Sequence, residues 1–505
     1  MLRAEGPAPA APVERTSAVP RLAAARSLSG YSWSVIGATA LGFILRVFLL
    51  GTPPLWRDEA FSAVVVRRSW LDMFAVIRHD SAPPLSYILL KLANTVSSSP
   101  VSLRTSAVLA GTAMVPVAAA LGRRAGAARA GVLAAAAMAV MPAYVAQARD
   151  IRMYALGGFF LLASLLTLWR AVDRPSVGRL AVHALCVALA LFTSYLAVFG
   201  IVAETAAVLL VLRPPLRVLL RVALATAVAG VALVPWLLYA LPQFQHAGVP
   251  FWVQPVGIGR VEDLWQEFVA GDTLRPQYPN AFAINLLRLL ACAGAAIGGA
   301  GWIATVWQTR GAERRRALYP ATAALLAIAV LIAVSLYRPL FDSRYAAMIE
   351  LPAVVAVGAG LAWLWPRRRP LGAAAVALGL ALMTAHAVAL GPNPPNDDIR
   401  PLVAPLAGQV GGDDYVAVKG ALQYFTVMYY ADAPTQARIH VIEDRVSWYD
   451  GTAAYSADTW QQRVPPVPGR VYVIAQEGTG LDMPAGFSLR DQQCAAQYCL
   501  QTWTR

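Results

Sequence analysis

Apolar runs of membrane-spanning length, recurring between Trp33 and Leu390 with only short breaks, constrain this chain more than any other feature. An α-helix rises about 1.5 Å per residue, so about 20 apolar residues cross the ~30 Å hydrocarbon core of a bilayer. Runs near 33–51, 102–121, 128–146, 154–171, 180–195, 197–212, 221–241, 281–306, 319–337, 346–365 and 371–390 approach or meet that length, which predicts about eleven spans. Composition agrees: 58% of the residues are hydrophobic and 14% charged, against about 25% charged in an ordinary soluble protein. So few charges leave most of the surface unsuited to water.

The formal net charge of +14 raises the question of nucleic acid, and its distribution answers it. The arginines sit in short groups between apolar runs rather than along one basic face. Arg123, Arg124 and Arg129; Arg170, Arg174 and Arg179; Arg213, Arg217 and Arg221; Arg310, Arg314, Arg315 and Arg316; and Arg367, Arg368 and Arg369 fall in alternate loops. Positive charge concentrates in cytoplasmic loops, so this alternation orients a membrane protein and predicts no nucleic-acid partner. It puts the N-terminus in the cytoplasm and, with an odd number of spans, the C-terminus outside. The first run, with no clear small-residue cleavage site after it, reads as an uncleaved anchor.

The predicted fold class is therefore a polytopic α-helical membrane protein with a small C-terminal extracytoplasmic α/β domain. Residues 1–30 read as a disordered cytoplasmic tail rich in Ala, Pro, Ser and Arg. Residues 31–390 form the membrane domain, with long extracytoplasmic loops at 52–101 and 242–280, and loops of that length are usually functional. Residues 391–505 are more polar, with β-rich runs at Asp414–Val418, Arg438–Ile442 and Arg470–Ile474 and an amphipathic stretch at Leu422–Ala431. Cys494 and Cys499 lie close together in this outer part, where a disulfide is chemically allowed.

Charges beside membrane helices are costly, which makes them functional candidates. The first cluster is Trp56-Arg57-Asp58-Glu59, directly after the first span; the same loop carries His79-Asp80-Ser81-Ala82-Pro83-Pro84-Leu85-Ser86-Tyr87. An isolated Asp-Glu pair is more often a solvated loop, but a second acid before a rigid Pro-Pro turn lowers that prior. The third is Gln147-Ala148-Arg149-Asp150-Ile151-Arg152-Met153-Tyr154. If helical, it sets Arg149 and Arg152 on one face as a fork for phosphate oxygens, against a simpler reading as interfacial snorkelling. The fourth is Arg338-Pro339-Leu340-Phe341-Asp342-Ser343-Arg344-Tyr345. All four map to the outer side, and a single site is the economical reading. Trp56 and Trp252 offer ring faces for a sugar. Within the spans, Arg46 reads as snorkelling and Glu204 as either a paired or a cavity-lining acid.

The Asp-Glu pair after the first span, the His-Asp-x-x-Pro-Pro-Leu-x-Tyr segment, the Arg152-Met153-Tyr154-Ala155-Leu156 run and the late Arg344-Tyr345 pair resemble the GT-C superfamily of membrane glycosyltransferases. The likeness, over roughly residues 33–365, is to the branch containing protein O-mannosyltransferases and lipid A aminoarabinose transferases. It implies a polyprenyl-phosphate-linked sugar donor in the membrane lipid, and a glycan, protein or lipid acceptor at the outer face. It also implies that Asp58 is the general base, with Glu59 and Asp80 as further catalytic acids. Arg57, His79, Tyr87, Arg149, Arg152, Tyr154, Arg344 and Tyr345 become substrate-binding candidates, with the guanidinium groups facing the leaving phosphate. Ala82 stands where some relatives carry lysine. No metal ligand is assigned, although Asp58, Glu59, His79 and Asp80 could hold a divalent cation. The rival classes are a lipid or sugar transporter, which favours inverted repeats and midplane charges, and a silent scaffold that would not need Asp58.

Overall fold

The computed structural model describes residues 29–246, 252–257, 281–364 and 398–505, and besides these 259, 373, 377–381, 384, 385 and 388. Residues 1–28 of the expected tail, most of the 242–280 loop and about half of the run at 371–390 lie outside the described residues.

Helix α1 (Gly30–Val47) starts on Ser29, whose hydroxyl accepts from the backbone of Ser32. The segment expected as a long outer loop is largely helical: α2 (Arg57–Arg67), α3 (Trp70–Ile77) and α4 (Leu85–Val96) follow in close succession. Helix α5 (Pro100–Val140) enters through a Ser99 cap and a proline in its first turn. It is two helices in fact, because Gly126 and Ala127 leave helical geometry, Ala127 with φ +74°. The chain doubles back there. A Cβ added at Gly122 would come within 2.6 Å of the Ala130 carbonyl, and one at Gly131 within 2.6 Å of Ala119. The runs at 102–121 and 128–146 thus pack together, with Arg123, Arg124 and Arg129 near the bend.

Pro142 opens α6 (Pro142–Gln147) and has no N–H for the carbonyl of Met138, four residues back. Arg46 supplies the missing donors. Its guanidinium reaches Met138 and Ala139 oxygens at 3.1 Å each, and Gly42 at 2.9 Å. The side chain is fully buried, so the snorkelling expected for Arg46 is corrected: it stitches α1 to the break between α5 and α6.

Next come α7 (Tyr154–Asp173), α8 (Val177–Thr193), α9 (Ala197–Ala207), α10 (Leu216–Tyr239), α11 (Ala281–Gln308) and α12 (Gly311–Tyr337). The tightly spaced pair around Tyr195 is indeed two helices, α8 and α9. Among the described residues, α5, α7, α10 and α12 are long and apolar enough to cross a membrane by length and composition, while α8 and α9 are shorter apolar helices. Helices α13 (Ser343–Ile349) and α14 (Pro352–Leu364) are bent by 63° and together would make a further span. On α10, Leu216, Leu220, Leu224, Val228, Val231 and Leu238 are all exposed. Their spacing of three to four residues, with a longer last step, draws one apolar stripe, which suits lipid and not water.

The C-terminal domain holds strands β1 (Tyr415–Val418), β2 (Ile439–Ile442), β3 (Trp460–Gln461), β4 (Val471–Gln476), β5 (Ser488–Ala495) and β6 (Tyr498–Thr504), with helix α15 (Ala421–Tyr430) after β1. The sheet order is β3-β2-β1-β4-β6-β5. The first four strands pair in parallel and the last hairpin is antiparallel, closed by the Cys494–Cys499 disulfide. This mixed sheet bears out the expected α/β character; the last hairpin went unread.

The domain is not a free appendage. Phe425 of α15 meets Phe61 of α2 edge-on with centroids 4.9 Å apart, and Arg67 lies 4.2 Å over the Tyr429 ring. Leu55 donates its N–H to the Tyr430 hydroxyl at 2.8 Å, and Tyr429 donates to Ser98 at 2.6 Å. A single apolar core runs from α2, α3 and α4 into β1, β2 and α15. The C-terminal domain and helices α2, α3 and α4 therefore form one body.

Candidate active site

Successive residues on an α-helix point about 100° apart, and at the start of α2 this separates two adjacent acids. Glu59 turns inward. Its side chain is 2% exposed and forms a bidentate pair with Arg104 of α5, Nη2 to Oε2 at 2.7 Å and Nε to Oε1 at 3.0 Å. Oε1 also accepts the N–H of Ile151 at 3.0 Å, while Arg104 donates to the carbonyls of Leu50, Pro53 and Pro54. With Oε2 also accepting the Trp56 N–H at 3.4 Å, all four lone-pair sites of this buried carboxylate are taken up within the protein. The catalytic reading of Glu59 is corrected accordingly: it ties the start of α2 to α5 and to the junction before α7.

Asp58 points the other way, its side chain 27% exposed. Its Oδ2 lies 3.8 Å from Nη1 of Arg344 at the start of α13. Asp342 builds that approach. It caps α13 by accepting the Arg344 N–H at 3.1 Å, and the same oxygen takes the Arg344 Nε at 3.0 Å, which aims the guanidinium outward. The Arg344 guanidinium also lies 5.4 Å from the Trp56 ring centroid and 4.9 Å from that of Trp252. The indoles expected to face a sugar are therefore engaged with this arginine. Tyr154 and Tyr345 close the inner side with centroids 6.1 Å apart, and Trp252 meets Tyr345 at 6.4 Å.

The junction at 148–153 is a turn and not a helix, which changes the expected fork. Arg149 donates to the carbonyls of Leu45 and Leu49 at the end of α1, at 3.3 and 3.2 Å. Arg152 runs toward α2 and donates to Ser62 at 3.1 Å; the Ser62 hydroxyl in turn donates to the Asp58 carbonyl at 3.0 Å. The two guanidinium groups thus serve different ends of the structure, because helical spacing was the premise of the fork and the turn removes it. Asp150 caps the same turn by accepting the Arg152 N–H at 3.0 Å; burial, and then the nearby Glu59 carboxylate, push its pKa up to about 7.

Asp80 accepts a 2.6 Å hydrogen bond from the buried Tyr87 hydroxyl, one turn into α4. Arg57 is exposed at the start of α2, within electrostatic reach of Asp450 in the C-terminal domain. His79 is exposed on a separate cleft, with Arg68, Asp72 and Trp448. Among the described residues no three His, Cys, Asp or Glu side chains converge as a metal site. The set expected as a cation holder, Asp58, Glu59, His79 and Asp80, does not assemble, since Glu59 is committed to Arg104 and His79 lies on the other cleft. Within the helices, Glu204 accepts from Ser164 at 2.6 Å and is buried. Arg104 was missed from sequence. Its position in the second turn of an apolar helix was the available signal, but its partner is far away in the chain.

Comparison with known proteins finds likenesses in part of the sequence and in the fold. Residues 81–239 match the family model described as dolichyl-phosphate-mannose-protein mannosyltransferase. Among solved structures, the chain resembles ArnT from Cupriavidus metallidurans bound to undecaprenyl phosphate. The TM-score is 0.61 at 14% identity, covering 94% of this chain and 98% of that one. It also resembles the Archaeoglobus fulgidus oligosaccharyltransferase in complex with zinc and sulfate, with a TM-score of 0.54 at 13% identity, covering 88% and 68%. No curated protein sequence matches. The GT-C resemblance read from the motifs is borne out, and the fold is that of a helical membrane protein carrying a C-terminal mixed-sheet domain.

Proposed function

We propose that this chain is a membrane glycosyltransferase that moves a sugar from a polyprenyl-phosphate donor to an acceptor hydroxyl at the outer face, with inversion. The observation that carries the reading is the half-open Asp58 carboxylate, 3.8 Å from the Arg344 guanidinium. The match of residues 81–239 to a lipid-phosphate-mannose transferase model supports it, as does the likeness to a protein solved with undecaprenyl phosphate.

In this mechanism the acceptor oxygen attacks the anomeric carbon while the Asp58 carboxylate takes its proton. The bond from that carbon to the phosphate oxygen breaks, and polyprenyl phosphate leaves with the bonding pair. Arg344, oriented by Asp342, stabilises the charge that grows on the phosphate, and Arg152 adds positive potential from the inner side. Tyr154 and Tyr345 shape the sugar side of the opening, and the Asp80–Tyr87 pair orders the rim of the first outer segment. The same reading assigns about eleven spans, with the N-terminus cytoplasmic and the outer domain extracytoplasmic. The sugar is of mannosyl or arabinosyl type, and the acceptor is a glycan, a protein or a lipid.

The test uses the full chain in proteoliposomes, with polyprenyl-phosphate mannose or arabinose labelled in the sugar and an envelope fraction as acceptor. Label should enter the acceptor with inverted anomeric configuration while polyprenyl phosphate accumulates in equal amount. Passage of intact labelled donor across the bilayer, with no phosphate released, would make the chain a transporter.

A further inference from the structure

The second cleft lies outside the Asp58–Arg344 opening. It has a volume of about 400 Å³ and is lined by Arg68, Asp72, His79, Trp448 and Thr452 among others. One wall is α3 and the residues flanking it, and the other is the outer domain's turn over Ser447–Gly451. Pockets of this size with a few convergent polar groups are typical of small-ligand sites.

The walls are held in place by the protein itself. Gly451 adopts φ +78°, and a Cβ there would come within 2.8 Å of both Phe61 and Phe425, so the turn is seated directly on α2, three residues from Asp58. Arg68 donates to the Ala454 carbonyl, and Asp72 accepts from Ser69 at 2.6 Å, which fixes both side chains while leaving each with further hydrogen-bonding capacity. Ser447 donates to the Asp450 carboxylate at 3.1 Å, which locks the turn, and Asp450 lies in the field of Arg57 and Asp58. The residue that lines the cleft, Trp448, and the one that faces the catalytic helix, Asp450, are two apart on one rigid turn.

The turn belongs to the loop leaving the carboxyl end of β2, and in open α/β sheets ligands lie outside the carboxyl ends of the strands.

From these observations we infer that this cleft is an acceptor subsite for a saccharide, with Trp448 as its specificity-determining residue. The inference rests on the transferase reading above and deepens it. The cleft mixes Arg68, Asp72 and His79, one fixed cation, one anion and one group that can donate and accept. An anionic lipid headgroup would call for an excess of positive charge, whereas a neutral polyol uses donors and acceptors together. Indole presents a broad apolar face with a polar edge, a surface matched to the C–H face of a pyranose or furanose ring. A glycan seated here would extend its terminal hydroxyl past Asp450 toward Asp58.

The test separates this inference from the reading it rests on. Saturation-transfer-difference NMR would be run on the full chain in nanodiscs, with methyl glycosides and disaccharides of mannose and of arabinose as probes. Sugar C–H signals are expected for the wild type and for Asp58→Asn, at least tenfold weaker binding for Trp448→Ala, near-normal binding for Trp448→Phe, and weakened binding for Asp72→Asn. In the transfer assay, Trp448→Ala should raise the acceptor KM at least tenfold with kcat within twofold, which damage to the catalytic helix would not produce. Binding of no saccharide, binding unaltered by Trp448→Ala, or use of a threonine peptide in preference to every saccharide would each overturn the assignment. A wild type that binds saccharides through Trp448 but never consumes donor would leave the cleft standing and remove the transferase reading.

Discussion

Two acid–arginine pairs stand one residue apart on α2 and differ in almost every physical respect. Glu59 and Arg104 are sealed in the protein, with the carboxylate bidentate and every guanidinium nitrogen given a partner. Asp58 and Arg344 are half-open, separated by 3.8 Å, with the arginine oriented by a different acid. A buried saturated pair resists change and holds helices together; an open and loosely joined pair can exchange its partner for a substrate. Proximity to a motif therefore says less about chemistry than the number of lone pairs left unspent.

That contrast is broken most severely at its sealed half. Glu59→Gln leaves Arg104 buried beside a neutral amide and should destabilise the fold by about 3–5 kcal/mol, read as a lower melting temperature and poor recovery from detergent. An unchanged melting temperature would mean the pair is not structural. At the open half, Arg344→Gln should cost about 10²–10³ in kcat while the protein melts normally. A loss of stability with little loss of rate would transfer Arg344 to the structural class.

Smaller effects sharpen the boundary between the two. Arg149, directed at the last carbonyls of α1, should tolerate replacement by alanine with less than about a tenfold loss in kcat/KM; a hundredfold loss would return it to the phosphate. Asp150 gives a pH test. Its pKa rises on folding, so the folded chain holds a proton that the unfolded chain releases, and stability is lost as pH climbs toward and through about 7. Asp150→Asn should melt about 2–4 °C above wild type at pH 8, with the gap closing below pH 6. A gap that widens on acidification would contradict the raised value.

The helical membrane character was legible because apolar length is written locally in the chain. The C-terminal domain was legible for the same reason: the β1, β2 and β4 runs and the α15 stretch each carry their own pattern. The acidic cluster after the first span and the Arg344 segment were likewise found, and the structure brings them together. What could not be read depends on contacts between distant residues. Nothing near Asp58 and Glu59 says which faces outward, because that is decided by Arg104, in the second turn of α5. The Arg149–Arg152 fork failed because residues 148–153 form a turn between α6 and α7, in which Asp150 accepts the Arg152 N–H. The β5–β6 hairpin escaped notice because β5 is exposed and polar, Ser488-Leu489-Arg490-Asp491 within it, and the apolar start of β6 is only three residues long.

The two neighbouring acids, Asp58 and Glu59, divide rate from stability between them. The most direct measurement is the rate of sugar transfer from the polyprenyl-phosphate donor, per folded molecule, for Asp58→Asn. The expected result is a fall of about 10²–10⁴ with an unchanged melting temperature, since a solvent-facing carboxylate that acts as base contributes rate and little stability. Turnover within a few-fold of wild type would show that the acceptor proton goes elsewhere, and would contradict the central claim.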